Sequence, residues 1–132
     1  MSSPPVKSRV LLVEDYDDAR EMYVEYLTFS GFDMAQAANG LEAIQLALEN
    51  PPDIVVMDLS LPQMDGWEAV RRLKADKRTA AIPVVALTGH VLADFSRRAE
   101  QAGFAGFLTK PCLPEDLVTE IRRLLDANPR RT

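Results

Sequence analysis

The chain has 132 residues, 47% of them hydrophobic and 27% charged, which suits one compact domain and excludes disorder along its whole length. A net charge of −5, with basic residues scattered as the pairs Arg71/Arg72, Arg97/Arg98 and Arg122/Arg123, argues against direct nucleic-acid binding, which needs a basic face to neutralise phosphates. The one cysteine, Cys112, permits no internal disulfide and fits a reducing cytoplasm; no apolar run is long enough to span a membrane; and Met1-Ser2-Ser3-Pro4-Pro5 lacks the layout of a secretory signal.

Apolar runs alternate with helical patterns from end to end. Arg9 to Val13 reads as a strand buried on both faces. From Asp15 to Ser30, apolar residues at Ala19, Met22, Tyr23, Tyr26 and Leu27 follow helical spacing, and Gly31 closes the helix. Phe32 to Ala37 is a weaker strand. Asn39 caps a second helix, with Glu42 placed as in a capping box and Ile44, Ala47 and Leu48 inward; Pro51-Pro52 ends it.

Asp53 to Met57 is a clear buried strand. A third helix runs from Met64 or Gly66 to Lys74, with Trp67, Val70 and Leu73 inward. Ile82 to Leu87 is the fourth strand, with Pro83 near its start, where a missing N–H is tolerable. Leu92, Phe95, Ala99 and Ala102 mark a fourth helix that Gly103 ends. Ala105 to Thr109 is the fifth strand, and Pro114 opens the last helix, whose stripe is Leu117, Ile121, Leu124 and Leu125. Strict alternation predicts a parallel sheet with helices on both faces. Residues 1–7 read as a flexible lead, 8–127 as the domain and 128–132 as a tail.

Ligands of open parallel sheets bind beyond the carboxyl ends of the strands. The first strand ends in Glu14-Asp15, the third in Asp58, the fourth in Thr88 and the fifth in Lys110. Carboxylates gathered at one edge repel unless a cation neutralises them, and Mg2+ fits as a hard ion that takes few protein ligands and keeps water for a phosphate. Lys110 and Thr88 could hold the oxygens of a transferring phosphoryl group, and Asp58 could be its nucleophile.

The strings LLVEDYDDAR, VVMDLSLPQMDGWE, VVALTGH and GFLTKP, in that order and strand context, resemble the response-regulator receiver family from about Ser8 to Ala127. The resemblance implies a CheY-like, flavodoxin-like three-layer fold with strand order 2-1-3-4-5. It implies that Asp58 is the phosphoacceptor. Asp15 would ligate Mg2+ directly, Glu14 mainly through water, and the Ser60 backbone carbonyl would be a further ligand, with Mn2+ as a substitute ion. Thr88 would swing toward the phosphoryl group and Lys110 would pair with it. Phe107 would be the aromatic whose position reports on Thr88, and Lys110-Pro111 would be cis.

His90 and Ser60 would tune access of the hydrolytic water. Tyr16, Asp17 and Arg20 lie where relatives meet the phosphodonor, or are plain helix surface. Two residues depart from the commonest pattern: Glu14 replaces an aspartate, and Phe107 replaces a tyrosine, so any hydrogen bond from that hydroxyl is absent. Asp65-Gly66 reads as turn structure rather than chemistry.

The expected function is a cytoplasmic two-component switch, not a turnover enzyme. A sensor histidine kinase or histidine phosphotransfer protein would phosphorylate Asp58. An effector would read the face of the fourth helix, fifth strand and fifth helix, with the chain a monomer or a phosphorylation-promoted dimer. A phosphorelay intermediate or phosphate sink, and a receiver cut from a hybrid kinase, remain open alternatives. A small phosphatase would need a second acid two residues after Asp58, where Ser60 stands, and an acidic pocket would repel a flavin phosphate.

Overall fold

The computed structural model describes residues 7–61, 64–89 and 95–127. Ten elements alternate along the chain: β1 (Arg9–Val13), α1 (Asp17–Phe29), β2 (Asp33–Ala37), α2 (Gly40–Glu49), β3 (Ile54–Asp58), α3 (Gly66–Ala75), β4 (Val84–Thr88), α4 (Phe95–Ala102), β5 (Gly106–Thr109) and α5 (Pro114–Ala127). All strand pairings are parallel, in the order β2-β1-β3-β4-β5. The expected doubly wound α/β architecture is therefore the observed one.

Alternation along the strands builds two cores. Leu11 and Val13, Val55 and Met57, and Val84 and Ala86 face one side with Ala43, Ala69, Val70 and Phe95. Val10 and Leu12, Ile54 and Val56, and Val85 and Leu87 face the other with Tyr23, Leu27, Leu117 and Ile121. Sheet faces this apolar on both sides account for the unbroken strand runs in the sequence. Each fully buried leucine or valine contributes roughly 1.5–3 kcal/mol.

The elements differ from the expected bounds where local chemistry intervenes. Helix α1 starts at Asp17 rather than Asp15, because Tyr16 is still extended as its N-cap. Strand β4 starts after Pro83, whose carbonyl accepts from the Val55 amide at 3.0 Å. Asn39 caps α2 as expected, its side chain accepting from the Glu42 amide at 2.9 Å; Glu42 reaches back to the Ala38 amide rather than closing the box on Asn39. Leu92 lies outside the described residues. Gly31 and Gly103, with φ of +102° and +109°, end their helices in the left-handed region.

Candidate functional site

The site lies at the carboxyl edge of β1, β3, β4 and β5, in a cleft of about 660 Å³ lined by Glu14, Asp15, Asp58, Ser60 and Lys110, with Tyr16, Met22, Tyr23 and Cys112 as one wall. Asp58 is the last residue of β3, as expected, and is only 3% exposed. Its Oδ1 accepts from the Ser60 amide at 2.9 Å and its Oδ2 from the Lys110 ammonium at 2.6 Å. The same ammonium donates to Glu14 Oε1 at 3.0 Å. Glu14 is 1% exposed, and its Oε2 is buried without a hydrogen-bond partner. Lys110 follows β5 and is held by its own amide, which donates to the Thr88 carbonyl at 2.7 Å. The Lys110-Pro111 bond is cis, as expected.

Two glycine and cap details place Asp58. Gly66 approaches so closely that a Cβ there would lie 2.6 Å from the Asp58 carbonyl oxygen and 2.9 Å from Leu59 Cα. Asp65 caps α3 by accepting from the Glu68 amide at 2.9 Å, so the Asp65-Gly66 pair is structural, as the sequence reading holds.

The electrostatics follow from burial and crowding. Burial first, then the neighbouring Asp58 carboxylate, pushes Glu14 up to about 7, with Lys110 acting in the opposite direction. Burial alone would raise Asp58 too, but Glu14, Lys110 and the Ser60 amide outweigh it and hold Asp58 below the usual carboxylate range. Burial would lower Lys110, yet the two carboxylates keep it above its ordinary value. The site is thus an acid pair pinned by one ammonium.

Glu14, Asp15 and Asp58 each offer an oxygen, and these lie within 4.8 Å of one another. Asp15 is solvent-exposed while the other two are buried. Hard carboxylate oxygens, one of them an orphan, form a donor set that fits a hard divalent cation.

Thr88 ends β4 and is 5% exposed at the same edge. Phe107 pairs in register with Ala86, is partly buried, and meets Phe95 edge-on at 4.9 Å. Phe95 and Phe104 in turn meet Trp67 at 5.8 and 5.5 Å. Phe107 therefore heads an aromatic chain that the sequence pattern did not reveal. Ser60 is exposed at the cleft. His90 lies outside the described residues.

Sequence reasoning placed Arg20 only in the region of the phosphodonor. In the structure it hydrogen-bonds the Glu14 carbonyl, and Tyr23, read only as an inward helix residue, bonds the Cys112 carbonyl. Neither contact has a sequence signature, since each acceptor is a main-chain oxygen. No helix among the described residues is long and apolar enough to cross a membrane.

Residues 10–122 match the family model for the response regulator receiver domain. The chain is 33% identical over 117 residues to the DNA-binding dual master transcriptional regulator RpaA of Synechocystis, covering 89% of this chain and 48% of that protein, so it spans about half of that relative's length. It is 32% identical over 116 residues to the polar-differentiation response regulator DivK of Brucella anthropi, covering 88% and 94% of the two chains. Among solved structures it resembles the receiver domain of a sensor histidine kinase from Pseudomonas aeruginosa, which has a magnesium ion coordinated in its active-site cleft, with 28% identity, a TM-score of 0.78, and coverage of 93% and 98%. The chain belongs to the response regulator receiver domain family of two-component signalling.

Proposed function

We propose that the chain is a magnesium-dependent phosphorylation switch in which Asp58 accepts a phosphoryl group from phosphohistidine on a sensor kinase or phosphotransfer protein. One observation carries this reading: a lysine ammonium lies 2.6 Å from a buried aspartate at the strand edge, beside two further acids in the same cleft. Attack by an Asp58 carboxylate oxygen forms the O–P bond while the P–N bond breaks, and the donor histidine, protonated on its other ring nitrogen, leaves with that electron pair as neutral imidazole.

Asp58 stays ionised, and hence nucleophilic, because Lys110, Glu14 and the Ser60 amide favour its charged form. Lys110 is placed to follow the negative charge from the carboxylate to the phosphoryl oxygens. Thr88, at the end of the adjacent strand, supplies a hydroxyl donor from the same edge. Glu14, Asp15, Asp58 and the Ser60 carbonyl would hold Mg2+, or Mn2+ in its place. When bound, the ion offsets the charge of carboxylates and phosphoryl oxygens together.

Added charge at the strand edge draws in Thr88, moves Phe107, and alters the α4–β5–α5 face for an effector. The domain is a phosphoacceptor rather than a turnover enzyme: Ser60, two residues beyond Asp58, supplies no second acid for general acid–base work.

The test is intact mass after incubation with acetyl phosphate or phosphoramidate, with and without magnesium, alongside Asp58→Asn. The expected result is one added phosphoryl group that requires magnesium and vanishes in the variant. An adduct that persists in Asp58→Asn, or that ignores magnesium, refutes the reading.

A further inference from the structure

Helix α1 turns two side chains spaced three residues apart, Arg20 and Tyr23, toward the site. Neither one bonds an oxygen that would react or bind metal. The Arg20 Nη1 donates to the Glu14 carbonyl at 2.9 Å, Nε to Gln36 Oε1 at 3.1 Å, and Nη2 to Asp17 Oδ1 at 2.6 Å. Its side chain is 16% exposed, a placement costly for a guanidinium unless its donors are used. The three acceptors sit on the β1–α1 loop, strand β2 and the first turn of α1. The fork thereby ties the loop bearing Glu14 and Asp15 to two rigid elements.

Tyr23, one turn further along α1, bonds the segment after Lys110 instead. It is 5% exposed, and its hydroxyl donates to the Cys112 carbonyl at 2.7 Å, across 89 residues of sequence. Cys112 follows Lys110 by two residues, and the intervening Pro111 has no N–H with which to anchor that stretch. The Tyr23 hydroxyl therefore adds a second anchor, beyond the Lys110 amide bond to the Thr88 carbonyl, to the backbone from which the Lys110 ammonium reaches both carboxylates.

We propose that α1 holds the two halves of the site separately, with Arg20 positioning the carboxylate loop of Glu14 and Asp15 and Tyr23 positioning Lys110. The proposal rests on the reading of Asp58 as a magnesium-dependent phosphoacceptor. It differs in outcome from two simpler roles. If Arg20 were only a nearby positive charge, its removal would tighten magnesium binding. If both residues merely bound α1 to the sheet, both variants would change every property together.

The experiment measures magnesium affinity, from the amide NMR shifts of Asp15 and Ser60, and the rate of adduct formation from acetyl phosphate at saturating magnesium. The proteins are the wild type, Arg20→Met, Arg20→Lys and Tyr23→Phe, each shown to be folded by urea titration. Arg20→Met should weaken magnesium roughly 10–100-fold, the usual loss when the partner that orients a metal ligand is removed, with the rate recovering at saturation. Arg20→Lys, which keeps the charge but not the fork, should fall between. Tyr23→Phe should leave magnesium affinity within about twofold and slow adduct formation about tenfold or more, since small misplacements of a positioned group are costly.

Unchanged or tighter magnesium binding in Arg20→Met overturns the proposal, as does an equal change of affinity and rate in both variants. If the wild type binds magnesium but forms no adduct, the phosphoacceptor reading fails. The proposal is then decided on affinity alone: weakening in Arg20→Met without weakening in Tyr23→Phe supports it, and any other pattern overturns it. A wild type that binds no magnesium overturns both.

Discussion

Neutralising Glu14 should stabilise the metal-free protein at neutral pH and remove much of its pH dependence. Glu14 is pushed from 4.5 up to about 7 in the folded chain. Between those values the folded protein holds a proton that the unfolded chain has released, so stability falls as pH rises across the window. Asp58 shifts the other way, and its contribution is lost only as pH falls below the ordinary carboxylate range near 3.8. The two windows do not overlap. Glu14 is buried at the floor of an open cleft and titrates together with Asp58, so the full linkage is discounted for solvent and coupling, leaving a loss on the order of 1–2 kcal/mol from pH 5 to pH 8.

The assay is urea unfolding in EDTA at both pH values, in the wild type and in Glu14→Gln. The glutamine keeps an oxygen to accept from Lys110. Subtracting the variant removes the titration of groups common to both. Magnesium at saturation should reverse the wild-type trend, because it binds the ionised carboxylates. A wild-type-minus-variant difference that stays flat from pH 5 to pH 8 would refute the argument.

Lys110→Met should tighten magnesium binding severalfold by removing a competing cation, while slowing adduct formation about 100-fold at saturating magnesium; calorimetry and mass spectrometry separate the two. Gly66→Ala places a Cβ 2.6 Å from the Asp58 carbonyl oxygen and should cost roughly 1–3 kcal/mol in urea unfolding. Trp67 is the chain's one tryptophan and joins Phe107 through Phe95. Its emission should therefore shift on adding beryllofluoride with magnesium, and Phe95→Leu should suppress most of that shift; an equal shift in the variant would cut the aromatic chain out of the switch.

The sequence was legible where side chains decide local structure. Unbroken apolar runs mark β1, β3 and β4 because both sheet faces are covered. Asn39, Gly31, Gly103 and Pro114 mark helix ends because caps and positive φ select few residue types. Strand ends then predicted which functional groups meet, and Asp58, Glu14 and Lys110 do meet.

What stayed hidden is side chains bound to main-chain oxygens beyond their own helical turn. Lys74 is an instance outside the site: it looks like a helix-end cation, yet its ammonium donates to the Ala80 and Ile82 carbonyls and burial lowers its pKa. Arg20 on Glu14 and Tyr23 on Cys112 are the same kind of contact. A backbone carbonyl is present at every position, so the residue supplying it carries no signal. The Phe107–Phe95–Trp67 chain was hidden for a related reason: periodicity shows that each ring turns inward, but not which rings touch.

Charge counting shows why such a site would trap phosphoryl groups only with a cation present. Ionised Glu14, Asp15 and Asp58 carry three negative charges against one on Lys110. Part of that excess is relieved where Glu14, raised by burial and by Asp58, holds a proton. Converting Asp58 to an aspartyl phosphate adds about one further negative charge. A proton on Glu14 cannot offset that, because it balances a single carboxylate and lies away from the new oxygens. A divalent ion held by these carboxylates would offset two charges beside the new oxygens, and Lys110, which pairs with both Glu14 and Asp58, would then be available to the phosphoryl group. Metal and phosphoryl group must then each strengthen the binding of the other, by linkage. Because burial and the Asp58 carboxylate push Glu14 up to about 7, a proton there should oppose the ion, and the coupling should weaken as pH falls below neutrality.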